Sequence, residues 1–137
     1  MTRIPKELAP CGVFCGACPS FEKSCLGCAS DVRDQKRSSK WSCQIRQCCY
    51  DSKKLSFCGD CVEFPCTRIN KKLIRSHLGD ARFKYRHEIP NNFVKLMELG
   101  VTNYRVYQRQ RWTCSSCGGL VQFYNYRCSD CGRAAVI

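Results

Sequence analysis

The chain has 137 residues, 15 of them cysteine, and a formal net charge of +12. Its hydrophobic share of 44% counts those cysteines, so the remaining apolar set is lean and argues against one large core. No stretch approaches the length of a membrane span and no apolar h-region precedes Cys11. The chain is therefore expected in a reducing cytoplasm, where closely spaced cysteines bind metal rather than pair as disulfides.

Residues 1–66 read as a cysteine-rich metal-binding module. They hold eleven cysteines, with ten Lys and Arg against seven Asp and Glu. The spacing is Cys11-x3-Cys15-x2-Cys18, Cys25-x2-Cys28, Cys43-x4-Cys48-Cys49, Cys58-x2-Cys61 and Cys66. Three C-x2-C pairs and one C-x4-C pair supply eight thiolates, enough for two four-thiolate zinc ions. Cys11, Cys49 and Cys66 are then left over, or one of them replaces a pair member. Cys49 follows Cys48 directly, and adjacent residues rarely aim at one ion, so Cys49 is the expected free thiol. Sequential and interleaved pairings have the same spacing, which leaves the partners open. The Cys11, Cys15, Cys18 spacing also matches the cluster motif of radical S-adenosylmethionine enzymes, but neither their partial barrel nor their glycine motif accompanies it. An ordinary iron–sulfur cluster, with a distant fourth ligand such as Cys66, is the alternative to zinc here. The stretch Arg33 to Lys40 reads as a flexible basic loop.

Residues 67–111 contain no cysteine, and eleven Lys and Arg face three acids, a balance of 11 − 3 = +8. The segment reads as helical. Ile69, Leu73 and His77 or Leu78 recur at helical spacing after Phe64-Pro65. Asn91 and Asn92 are expected N-caps of a second helix with Phe93, Leu96 and Met97 on its inner face. Gly100 supplies a left-handed cap. Thr102 then opens a third helix, with Tyr104 and Tyr107 inward and Arg105, Arg109 and Arg111 outward. His77 and His87 are read as surface or packed side chains rather than ligands.

Residues 112–137 read as a zinc ribbon. Leu120 to Tyr124 is rich in strand formers, Asn125 can turn, and Tyr126-Arg127 returns, giving a short β-hairpin. Cys114-x2-Cys117 and Cys128-x2-Cys131 flank it, and Gly118 and Gly132 permit the tight turn after each knuckle. Four protein thiolates fill a tetrahedral site, so the metal is expected to be structural. Zinc is the expected ion, with a rubredoxin-like iron site as competitor.

The whole is expected to be a small, metal-stabilised α+β protein with about three zinc ions. Each four-thiolate zinc carries −2, so three bring the charge to 12 − 6 = +6. No catalytic constellation is found among its carboxylates, histidines or glycines. The excess charge lies in the middle segment, where basic and aromatic residues alternate, as in Arg82-Phe83-Lys84-Tyr85-Arg86. That pattern suits phosphate contact and base stacking by Lys71, Lys72, Arg75, Arg82, Lys84, Arg86, Arg105, Arg109 and Arg111. The expected partner is nucleic acid, with structured RNA or the ribosome ahead of DNA, and no membrane. The alternatives are a zinc-scaffolded protein–protein adaptor and an iron–sulfur redox or enzyme-accessory protein.

Several motifs also point to a family. Cys11-Gly-Val-Phe-Cys15-Gly-Ala-Cys18-Pro19, Cys25-Leu-Gly-Cys28, Cys43-Gln-Ile-Arg46-Gln-Cys48 and Phe57-Cys58-Gly-Asp-Cys61-Val-Glu-Phe64-Pro65-Cys66 together resemble domain-of-unknown-function family 3795. Arg82 to Tyr85, the helix from Asn92 to Gly100, and Arg111-Trp112-Thr113-Cys114 are similar to its version with a C-terminal zinc ribbon. The resemblance implies zinc binding in a prokaryotic cytosol, and no activity. Members usually lack a second cysteine at the position of Cys49, which implies that Cys49 is dispensable.

Overall fold

The structure is a computed structural model that describes residues 5–19, 21–23, 25–30 and 39–135. Most of the expected basic loop, residues 33–38, lies outside the described residues, as do Asp31 and Asp34; Ser39–Ser42 form a 3-10 turn. The cysteine-rich module has little regular structure. Two 3-10 turns, Cys15–Ala17 and Cys58–Asp60, alternate with two short helices. Helix α1, Gln44–Gln47, runs into a π turn at Cys48–Ser52. Helix α2, Thr67–Ile69, runs into another at Asn70–Ile74. In both, the widened turn closes with an i→i+5 bond, from Lys53 N–H to Cys48 O and from Arg75 N–H to Asn70 O, each 2.8 Å.

Helix α3, Lys84–His87, leads into α4, Ile89–Arg111. Pro90 sits in the first turn of α4, where its missing N–H costs no helical bond. The helix therefore starts before the expected caps Asn91 and Asn92. Gly100 interrupts it at φ 78°, ψ 165°, so α4 is two arms meeting at the glycine where the sequence placed a break, although its ψ lies outside the left-handed helical range expected of the cap. Phe93, Leu96 and Tyr104 are buried, but Met97 is 80% exposed and turns away from the face expected of it.

Apolar residues from all three segments join in one contiguous cluster, which includes Leu8, Phe14, Phe57, Ile69, Phe93 and Trp112. The core is thus more integrated than the composition suggested. Tyr85 lies flat on Phe123 at 4.0 Å between ring centroids, and Trp112 meets Phe123 edge-on at 4.9 Å. These rings lock the C-terminal segment onto the helices, and each such pair contributes about 1 kcal/mol beyond its burial. Tyr85 and Tyr104 are therefore core side chains and offer no open face for a nucleic-acid base.

The expected β-hairpin is the main departure. Among the described residues there is no strand, only isolated bridges, those of the ribbon antiparallel, such as Thr113 with Leu120 and Val121 with Cys128. Two backbone bonds cross the turn, Gln122 N–H to Arg127 O at 3.2 Å and Ser129 N–H to Leu120 O at 2.7 Å, but the groups between them bond elsewhere: Val121 N–H donates to Trp112 O at 2.8 Å and Phe123 N–H to Ala17 O at 3.0 Å. Tyr124 and Tyr126 take φ of 77° and 53°, which breaks any extended run through the turn.

Candidate metal centre

The four C-terminal cysteines converge. Cys114, Cys117, Cys128 and Cys131 place their Sγ atoms within 4.8 Å of one another. Cys114 and Cys131 sulfurs are 3.7 Å apart, and Cys117 and Cys128 sulfurs 3.4 Å. A tetrahedral ion with bonds of ~2.3 Å to sulfur needs edges of ~3.8 Å, so the cage has nearly the size of a metal-filled one. Each knuckle is built the same way. After the second cysteine comes a glycine at positive φ, 77° for Gly118 and 74° for Gly132, and its N–H closes the turn onto the first cysteine's carbonyl. The turns aim backbone N–H groups at sulfur: Ser116 at Cys114, Gly119 at Cys117, and both Asp130 and Cys131 at Cys128.

That donor set favours thiolate. N–H groups of Cys117 and Ser116 hold the Cys114 thiol down at about 6, well under an ordinary cysteine. The N–H groups of Cys131 and Asp130 likewise lower Cys128 against the opposing effect of burial. For Cys117 the Gly119 N–H also lowers, but the neighbouring sulfurs outweigh it and push the thiol up to about 12. Four thiols packed this closely cannot all ionise against one another without a cation. The residues fit a four-thiolate metal, held by Cys114, Cys117, Cys128 and Cys131, with every position filled by protein. Such an ion supplies cross-linking, and no site for a substrate or water.

The upstream thiols are all free of disulfides. Among the described residues they do not form a second group as tight as the ribbon's. Burial pushes the Cys11 thiol well up, and the Cys28 sulfur adds to it, with smaller contributions from Cys58 and Cys43. Cys15 is raised by its hydrogen-bonded neighbour Cys28 and by burial. Cys58 is raised first by Cys49. Cys49, expected to be spare, is buried, with its Sγ 3.3 Å from Leu55 O. The raised thiols of Cys11, Cys15 and Cys58 stay protonated; a bound cation reverses the sign.

The structure divides the nine candidate nucleic-acid contacts. Arg105 and Arg109, expected to face outward, close on Glu7 at 2.8 and 2.6 Å. Arg111 closes on Glu88 at 2.6 Å. Arg82 pairs with Asp80 at 2.8 Å, and its hydrogen bonds lower the Asp80 carboxyl to about 2. Arg86 bonds the Tyr85 hydroxyl and lies over the Phe83 ring. Lys84 is exposed and has a partner of its own. Lys71, Lys72 and Arg75 are exposed along α2 and its π turn, with no ion pair among the described residues; Lys72 Nζ lies 4.0 Å from Cys43 Sγ. Neither histidine lies in the convergent cysteine group. His77 stacks on Phe83 at 4.3 Å, and His87 Nε2 lies 2.7 Å from Ser76 O.

The sequence reading missed Glu7 and Gln108 and took Asn92 for a helix cap. Glu7 is buried, and burial would raise its carboxyl, but hydrogen bonds from Arg109 and Arg105 outweigh that and hold it below the usual carboxylate range. Asn92 Nδ2 donates to Gly12 O at 2.9 Å. Gln108 donates to Asn92 Oδ1 and to the Tyr104 hydroxyl, and accepts from Trp112 Nε1. This relay ties the cysteine-rich module to α4 and to the entry of the ribbon. Only an apolar-face position holding a polar residue could have signalled it.

No helix among the described residues is long and apolar enough to cross a membrane. No curated protein and no solved structure matches the chain. The family match reaches from the first cysteine pair after Phe21 through Cys66 and leaves the ribbon outside it. Over residues 21–71 the chain matches the family described as a protein of unknown function (DUF3795), the one its cysteine motifs resemble.

Proposed function

We propose that this is a non-catalytic, zinc-stapled protein that binds polyanions, structured RNA foremost, through the exposed basic run from Arg68 to Arg75 on α2 and its π turn. The ribbon thiols hold one structural zinc and the cysteine-rich module holds two more. The observation that carries the binding reading is the division of the basic residues. Arginines on α4 serve the fold, whereas Arg68 on α2, Lys71 and Lys72 in its π turn and Arg75 just after it stand exposed with no carboxylate paired to them among the described residues. Four cations on so short a face match a run of backbone phosphates. Nothing on it is placed to read bases, so recognition rests on charge and shape.

The test is binding of a labelled structured RNA as salt rises. Four neutralised phosphates give a log–log slope of roughly −3 to −4 and an affinity loss on the order of a hundredfold between 50 and 200 mM salt. The variant Lys71→Glu/Lys72→Glu is expected to abolish binding while Arg105→Ala leaves it unchanged. Salt-independent or absent RNA binding overturns the proposal. Val94, Met97 and Val106 are 51%, 80% and 48% exposed on α4, which favours the adaptor reading as the second choice. A partner retained through nuclease and high salt would establish that instead. A brown, iron-containing sample after anaerobic purification would replace zinc by an iron–sulfur cluster.

A further inference from the structure

Among the described residues five non-glycine positions take positive φ, and three of them carry rings that gather around residues 82–85. His77 takes φ 51°, Tyr124 77° and Tyr126 53°, a conformation that costs free energy in any residue with a Cβ. Tyr126 has a structural reason for it. Its hydroxyl accepts from Tyr85 N–H at 3.1 Å and donates to Arg82 O at 3.3 Å, which fastens the ribbon to α3. His77 and Tyr124 stand apart, because both are exposed and neither fills the core. Exposed rings held in a costly backbone conformation point to a ligand.

The two rings meet on Phe83. His77 stacks on it with 4.3 Å between centroids and 21° between planes, and Tyr124 stands edge-on to it at 6.3 Å and 80°. The Arg86 guanidinium lies 4.6 Å from the centre of the Phe83 ring. Among the described residues no second ring stacks on His77. The turn that follows His77 is closed by Asp80 N–H on His77 O at 3.0 Å, and Gly79 within it has open space around it. The basic run ends beside this shelf. Arg75 precedes His77 by two residues, at most about 7 Å of chain. Helix α3 packs against the π turn that carries Lys71 and Lys72, and Arg86 Nη1 reaches Ser76 Oγ at 3.4 Å.

We infer that His77, backed by Phe83 and flanked by Tyr124, is a stacking site for an unpaired RNA base whose neighbouring phosphates lie on the run from Arg68 to Arg75. This rests on the reading of that run as a phosphate-binding surface. It narrows the ligand from paired RNA to RNA with a loop, a bulge or a single-stranded end. Stacking uses the π face that every base has, so the site selects unpaired bases without choosing among them. Arg75 and Lys72 supply charge at the edge of the shelf, and the rings supply the contact that a uniform duplex cannot make.

The test measures binding of the zinc-loaded full chain to two labelled RNA hairpins with the same stem, one with an ordinary loop and one with abasic loop nucleotides. Both carry the same phosphates. Wild type is expected to bind the ordinary loop roughly five- to a hundredfold more tightly. His77→Asn removes the ring and keeps a residue type that accepts positive φ. It should bind the two hairpins equally, with the salt dependence of wild type. His77→Phe keeps a ring and should keep the preference. Equal binding of the two hairpins by wild type overturns the stacking site and leaves the phosphate run standing, and this comparison needs no variant to fold. A preference that survives in His77→Asn overturns it too. Absence of binding to either hairpin refutes the phosphate run, and the stacking site with it.

Discussion

Replacing Glu7 by Gln isolates the clasp between the cysteine-rich module and α4. The carboxylate gives one oxygen to each arginine: Oε1 accepts from Arg105 Nε at 2.9 Å and Oε2 from Arg109 Nε at 2.6 Å. An amide of the same shape has one acceptor, so one guanidinium must lose its partner and face an N–H group. A hydrogen bond to a charged group contributes about 1.5–3 kcal/mol. The arginine side chains are 39% and 56% exposed, so water replaces part of the loss, and about 1–2 kcal/mol remains. For a chain of this size that is a fall in Tm of roughly 3–8 °C. Calorimetry at a fixed excess of zinc measures it. The pH dependence gives a second check. The Glu7 carboxyl is held below its ordinary value when folded, so its contribution is present above the unfolded value of about 4.3 and vanishes as pH falls through the folded one. The gap between wild type and Glu7→Gln should therefore close in acid. An unchanged Tm at neutral pH would refute the clasp, and RNA binding strengthened by Glu7→Gln would return Arg105 and Arg109 to the binding face.

Other substitutions test the remaining contacts. Gln108→Leu leaves the buried Trp112 Nε1–H and Asn92 Oδ1 without partners, and urea unfolding should show a loss of about 3 kcal/mol. Gly118→Ala forces a side chain into φ 77° with open space around it, so it should cost only about 1–2 kcal/mol. Gly59→Ala should cost more than that, because its Cβ would lie 2.5 Å from the Phe93 ring and the knuckle would have to shift. Equal melting temperatures for the two would contradict the packing described. Cys117→Ser should remove one metal per chain, read by elemental analysis, and leave the upstream thiols protected from alkylation.

The ribbon was the most legible part of this chain because its determinants are local. Two C-x2-C pairs with glycines beyond them fix knuckle geometry over five or six residues, and the four sulfurs meet as expected. Gly100 was legible for the same reason, since positive φ belongs to glycine. The hairpin between the knuckles was not, because strand formers make a ladder only when their backbone partners lie across it. Here Phe123 N–H bonds Ala17, more than a hundred residues away in the chain. Glu7 was illegible in the same way: a single acidic residue has no local signature, and its partners lie 98 and 102 positions downstream. The basic segment shows how charge composition misleads. A balance of +8 is visible in the sequence, but which arginines are already spoken for depends on acids placed by the fold.

The central claim, that all-thiolate metal sites hold this protein together, is tested most directly by X-ray absorption at the metal edge on protein purified without added metal. The account predicts zinc with four sulfur neighbours at ~2.3 Å and no nitrogen or oxygen in the first shell. A first shell containing nitrogen or oxygen, or a folded chain without bound metal, would contradict it.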